Sequence, residues 1–248
     1  MFKRLFVGAL FAGLCAGALA ALIQLTFVVP LIHEGELYES GALVHFGASG
    51  SHDHDETAAT PGAVPLTGVE ADHDHSTHDH GDTAGDPLKR NLGTFGFFLI
   101  SYTGFALFLV AGFALAERYG QTVTARTGVI WGLCGFFVVQ LAPGFGLPPE
   151  LPGGAGAALE LRQVWWVGCA IATAIGLALV SFGKGPVSLA AGAIAIALPH
   201  LIGAPTAPFA GVVPPELAGH YVTRVLGSGA VCWALLGTIA GAVWSREA

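Results

Sequence analysis

Residues 5–30 read LFVGALFAGLCAGALAALIQLTFVVP, twenty-six positions without one charged side chain. A helix needs about 20 mostly apolar residues to cross the ~30 Å hydrocarbon layer of a bilayer. This run supplies them with residues to spare. Lys3 and Arg4 precede it, and Ala18-Leu19-Ala20 imitates a signal-peptide cleavage site. A signal h-region, however, is only about 7–15 residues long. The run is therefore read as a retained first span that also serves as the insertion signal.

Working outward, the same arithmetic finds Leu92–Ala116, Thr127–Ala142, Gln163–Phe182, Pro186–Ile202 and Val222–Trp244. The predicted fold is all-α, a polytopic transmembrane helical bundle of about six spans. Thr127–Ala142 and Pro186–Ile202 are short, roughly 24–26 Å at 1.5 Å per residue, so a five-span count stays open. The chain divides into a first span and its exit (1–33), a loop (34–91) and the remaining helices (92–248), arranged as hairpins. Composition agrees: 53% of residues are hydrophobic and 11% charged, against about 25% charged in soluble domains. Gly8, Gly13, Gly17, Gly227, Gly229, Gly237 and Gly241 lie inside spans, where small residues let helix backbones approach in lipid.

Most of the 17 acids fall between Glu34 and Asp86, so the net charge of −7 belongs mainly to one loop. No basic face exists for nucleic acid. Lys3, Arg4, Arg118, Arg126, Lys184 and Arg246 would be cytoplasmic if the N-terminus is inside, against Lys89, Arg90, Arg162 and Arg224 outside. The bias orients the chain with both termini cytoplasmic and the acidic loop outside. Cys15, Cys134, Cys169 and Cys232 each sit in apolar runs with no Cys-x-x-Cys, which argues against a disulfide framework or zinc knuckle.

The loop is histidine-rich. It carries His52-Asp53-His54, His73-Asp74-His75 and His78-Asp79-His80. Residues two apart in an extended chain point the same way, so two imidazoles converge on one ion with a carboxylate beside them. Imidazole suits Zn, Cu, Ni and Co. From Gly47 to Pro87 the loop has too little apolar surface to offset the entropy of ordering. A loose, fast-exchanging capture segment is expected, with no single tetrahedral site.

The odd spans end alike. The first leaves through Pro30, Leu31, Ile32, His33, Glu34, Glu36, Tyr38 and Glu39. The third and fifth pass Pro143 and Pro199-His200 and reach Pro148-Pro149-Glu150-Leu151 and Pro214-Pro215-Glu216-Leu217. Proline frees helix carbonyls, which at membrane depth are tolerated only inside protein or beside a wet cavity. Matching interruptions in repeated halves point to a transport site. An outer metal-handling vestibule is expected, with His200, His33, Glu36, Glu216 and His220 as candidate ligands and Glu34, Glu39 and Glu150 behind them. Gln24 and Gln140 are costly in lipid. Trp165, Trp166, Tyr221 and Trp244 read as interfacial anchors.

No phosphate-binding loop, His-Glu-x-x-His or Gly-x-Ser-x-Gly occurs, so no enzyme and no prosthetic group is expected. The chain resembles the CbtA-type cobalt transporter subunits. The resemblance is carried by Met1-Phe2-Lys3-Arg4-Leu5-Phe6 and by Val29-Pro30-Leu31-Ile32 with Glu34, Glu36, Tyr38 and Glu39. Leu141-Ala142-Pro143-Gly144 through Leu147-Pro148-Pro149-Glu150-Leu151-Pro152-Gly153, and Leu198-Pro199-His200 with Pro214-Pro215-Glu216-Leu217, complete it. It implies uptake of Co²⁺ across a bacterial inner membrane, linked to cobalamin synthesis. It also implies a small single-span, histidine-bearing CbtB-type partner, and five spans rather than six. Ni²⁺ or Zn²⁺ transport, a non-conducting accessory or sensor, and a membrane scaffold remain as other readings.

Overall fold

The structure, a computed structural model, describes residues 2–44, 86–154, 156–207 and 211–246. Helices make up nearly all of them, and the described residues form no strand beyond one isolated bridge, Gly154 to Gly211. The first span is α1 (Phe2–Ile23), a π-helical turn (Gln24–Val28) and α2 (Val29–Glu39); the second is α3 (Pro87–Arg118). The third is α4 (Ala125–Phe136), a π turn (Phe137–Leu141) and the short α5 (Ala142–Gly144). Then come α6 (Leu159–Phe182), α7 (Gly185–Ile202) and α8 (Pro215–Arg246).

Six helices among the described residues are long and apolar enough to cross a membrane. The first of the two short stretches grows because a cap starts it early. Thr124 and Thr127 form a reciprocal capping box that begins α4, and the third span runs Ala125–Gly144, 20 residues. Gly185–Ile202 has 18 residues, with Pro186 in its first turn. At 1.5 Å per residue these reach about 30 and 27 Å. The hydropathy count of six describes this chain better than the five that the resemblance implied. Likewise α3 begins at Pro87, where the Asp86 side chain accepts from Leu88 N–H at 3.0 Å.

Two π turns have one cause. Pro30 and Pro143 each lie two positions past the end of a π turn. A proline ring collides with the carbonyl four residues back and brings no N–H. Widening the preceding turn moves that carbonyl aside. Val29 N–H then reaches back to Gln24 and Ala142 N–H to Phe137, one residue further than in an α-helix.

The core is a four-helix cluster of α1, α3, α4 and α8. Glycines set how close these helices come. A Cβ on Gly13 or Gly17 would overlap the α3 backbone at Thr103 or Phe98. One on Gly128 or Gly132 would overlap the carbonyls of Gly237 or Trp233. Two Gly-x₃-Gly pairs, Gly128/Gly132 and Gly237/Gly241, thus face each other across α4 and α8. Phe105 stacks on Trp233 at 4.7 Å, and Phe113 meets Trp131 and Trp244 edge-on. Trp244 is buried and donates its Nε1–H to Glu117, so it pins α8 to α3 rather than anchoring at an interface. α6 and α7 pair with each other and meet the core through the second π turn and α5. Sequence neighbours are therefore not always packing neighbours: α4 lies on α8, not on α6.

Candidate functional site

One end of the bundle gathers Glu34, Glu36, Glu39, Glu150, Glu160 and Glu216, because α2 finishes there and α6 and α8 begin there. The two Pro-Pro-Glu-Leu connectors meet at this end. Val212 N–H donates to Gly153 O at 3.4 Å, and Gly154 bridges Gly211. The leucines of both copies, Leu151 and Leu217, are buried together with Leu31 of the first span, backed by Ile32, Tyr38, Val213 and Tyr221. The repeat seen in the sequence converges on one apolar knot.

Around this knot the two copies differ in local structure. Pro215 opens α8, upstream of the expected Val222, and Glu216 lies in its first turn, where a carboxylate complements the helix dipole. Pro149 opens no helix, and Glu150 instead pairs with Arg162 at 3.2 Å.

Beside the knot lies a cavity of about 360 Å³ between α2 and α8. Glu34, Tyr38, Glu216, His220 and Arg224 are its polar lining. Glu216, His220 and Arg224 are spaced four apart and so run down one side of α8. Arg224 Nη1 donates to the carbonyl oxygen of Phe27, 2.8 Å away in the first π turn.

Of the predicted ligands, Glu216 and His220 line this one cavity, and Glu34 lines it with them. His33 is exposed on α2 and does not line the cavity. Glu36 is gripped by Arg90, Nη1 to Oε2 at 3.1 Å and Nη2 to Oε1. His200 is elsewhere, exposed on α7 between the rings of Trp165 and Phe145, with Nε2 4.0 Å from Cys169 Sγ. Trp165 donates to Pro199 O at 3.3 Å and fixes this corner. His52, His54, His73, His75, His78 and His80 lie outside the described residues. Among the described residues, no three His, Cys, Asp or Glu side chains stand close enough to hold one metal ion.

A second cavity, about 620 Å³, lies where α6 meets the third span; Gln140, Glu150, Arg162, Gln163 and Trp166 are among its lining. Gln140 Oε1 is buried and finds no hydrogen-bond partner among the described residues. Sequence reasoning passed over Arg224 and Cys169. The four-residue spacing of Glu216, His220 and Arg224 was the available signal for the first. Nothing local marked the second, since its partner is 31 residues away.

Residues 2–245, essentially the whole chain, match the model of the family described as "Probable cobalt transporter subunit (CbtA)". No curated protein and no solved structure matches the chain. The chain belongs to that family, and it is a multi-pass membrane protein.

Proposed function

We propose that this CbtA-family chain is the permease subunit for uptake of a divalent transition-metal ion, Co²⁺ first among them. In this reading the histidine-rich loop lies outside the bacterial inner membrane, both termini are cytoplasmic, and the loop collects ions by rapid, weak chelation. The ion is the substrate, and the protein needs no prosthetic group and catalyses no covalent reaction. A small single-span, histidine-bearing CbtB-type subunit is the expected partner.

The observation that carries the reading is the cavity whose wall carries Glu34, Glu216 and His220, spaced to meet an ion in turn rather than to hold it together. The carboxylates attract a divalent cation, and carboxylate or imidazole can each replace a water of its shell. His33, Glu36, Glu39 and Glu150 supply negative charge or further ligands around it, and His200 with Cys169 offers a nitrogen–sulfur pair deeper along the periphery.

Proteoliposomes loaded with a metal-sensitive dye test this. Co²⁺ entry that requires the protein, saturates, and falls at least about ten-fold in Glu216→Gln/His220→Ala supports it. Metal binding without entry, with or without the small partner, would overturn it in favour of a non-conducting accessory protein. That second reading draws on the lack of a three-ligand group among the described residues. Competition with Ni²⁺ and Zn²⁺ settles the substrate, because intrinsic affinity does not favour Co²⁺ over Ni²⁺.

A further inference from the structure

The cavity of about 620 Å³ where α6 meets the third span takes no part in the proposed metal site. It is amphipathic from rim to floor. At the rim, Arg162 Nη2 and Glu150 Oε2 stand 3.2 Å apart, and the two side chains are 31% and 35% exposed. The backbone at Gly156 passes so close that a Cβ there would overlap both groups. One side of the pair is thus covered, and the other borders the cavity. Below the rim the walls are apolar: Val139, Val167, Val225 and Leu226. On α6 the bordering Leu159, Trp166 and Val167 are 61%, 38% and 47% exposed. Exposed apolar side chains on a spanning helix meet hydrocarbon, so the cavity opens sideways to lipid along α6.

One polar side chain lies deeper. Gln140 Oε1 is shut in against Gly229, where a Cβ would overlap it, and finds no donor among the described residues. The amide nitrogen is the end left to face the cavity, and a buried donor is costly until an acceptor meets it. From Arg162 to Val167, α6 descends five residues, about 7.5 Å. That matches the headgroup layer, about 5–8 Å on each side of the hydrocarbon. The lining therefore asks for adjacent opposite charges at one end, an acceptor just below, and hydrocarbon beyond. We propose that this cavity holds one zwitterionic phospholipid, of the phosphatidylethanolamine class, which joins the α6–α7 hairpin to the core. Its phosphate takes charge-assisted hydrogen bonds from Arg162, and its primary ammonium donates to Glu150. An ester carbonyl accepts from the Gln140 amide, and an acyl chain lies along Val139, Val225 and Leu226. α6 meets the core through the second π turn and α5, and the lipid fills the space that side chains leave beside that junction. A choline headgroup has no N–H to give Glu150, and a glycerol headgroup has no cation at all. The site stands whether or not the protein conducts metal.

Full-length protein in detergent, stripped of lipid, is titrated with phosphatidylethanolamine, phosphatidylcholine and phosphatidylglycerol of the same acyl chains. Native mass spectrometry counts bound lipid, and the melting temperature is read alongside. The wild type is expected to keep one phosphatidylethanolamine, favoured at least about five-fold over either other lipid, and to melt higher with it. E150Q should lose the preference over phosphatidylcholine, and R162Q should lose the lipid. Equal retention of all three lipids by the wild type, a preference for phosphatidylglycerol, or unchanged retention in R162Q would overturn the proposal. O-phosphoethanolamine, the same headgroup without tails, should leave the melting temperature unchanged; protection equal to the lipid's would mean a soluble ligand and overturn it too. Where R162Q is not recovered as a monodisperse protein, V225F decides. It narrows the apolar wall, leaves the ion pair in place and is expected to expel the lipid; undiminished retention overturns the site.

Discussion

Arg90 holds both carboxylate oxygens of Glu36 across 54 residues of sequence, closing the base of the histidine loop by tying α2 to the first turn of α3. Both side chains are 38% exposed, so solvent screens much of the attraction. Partly exposed pairs of this kind couple by roughly 0.2–1 kcal/mol, and the two-pronged geometry favours the upper part of that range. A double-mutant cycle of Glu36→Gln and Arg90→Gln in thermal unfolding should give about 0.5–1 kcal/mol of coupling. The pair also competes with metal. If Glu36 is a ligand, Arg90→Gln should tighten Co²⁺ binding, measured by calorimetry; weaker binding would mean that the carboxylate serves only the clasp.

The clasp and the Asp86 cap dictate how the histidine loop must be removed. Asp86 accepts from Leu88 N–H at the start of α3, and losing such a cap costs about 1 kcal/mol. Deleting 48–85 leaves both features intact. An antenna raises the local concentration of ion without being part of the path. The deletion should therefore lower Co²⁺ uptake at low metal and leave the saturated rate unchanged. A reduced saturated rate would show that the loop is part of the route.

The glycine contacts between α4 and α8 predict a sharp contrast. A Cβ on Gly132 would overlap the Trp233 carbonyl, whereas nothing lies within 4 Å of one on Gly227. Backbone cannot swing aside as a side chain can. Gly132→Ala should cost about 1–3 kcal/mol, the usual range for overpacking. Gly227→Ala should be neutral or slightly stabilising, because alanine is the better helix former. Equal melting temperatures for the two variants would contradict the packing described.

The spans were legible because each is set by its own apolar length, with Pro30 and Pro143 as interruptions; the caps Asp86 and Thr124, which start α3 and α4 ahead of the expected Leu92 and Thr127, were not read. The meeting of both Pro-Pro-Glu-Leu copies was legible only as a repeat. Their different local structures depend on partners such as Arg162, which spacing does not reveal. The pairing of α4 with α8 was hidden for a related reason. Gly-x₃-Gly marks a helix face for close approach, but α1, α4 and α8 each carry one, and only the three-dimensional fit chooses among them. The candidate ligands divided on the same principle. Glu216 and His220, four apart on one helix, stayed together, while Glu36 was drawn to Arg90 and His200 to Cys169 by contacts far away in sequence.

His200 gives the last prediction, and it differs in kind from the loop deletion. Its Nε2 lies 4.0 Å from Cys169 Sγ, and the Trp165 and Phe145 rings flank the imidazole, with Trp165 also bonded to the adjacent Pro199 carbonyl. The ring is therefore held in place, and nitrogen and sulfur are both good ligands for late divalent metals. A ligand on the path acts at every concentration, since each ion must pass it. His200→Ala should reduce radiolabelled Co²⁺ uptake at low and saturating metal alike, whereas the loop deletion acts at low metal only. Cys169→Ser, which keeps a small donor but exchanges sulfur for oxygen, should shift preference from soft towards harder divalent ions. If His200→Ala takes up cobalt like the wild type, the pair is only a packing contact between α6 and α7, and the route must lie wholly on the α2–α8 side.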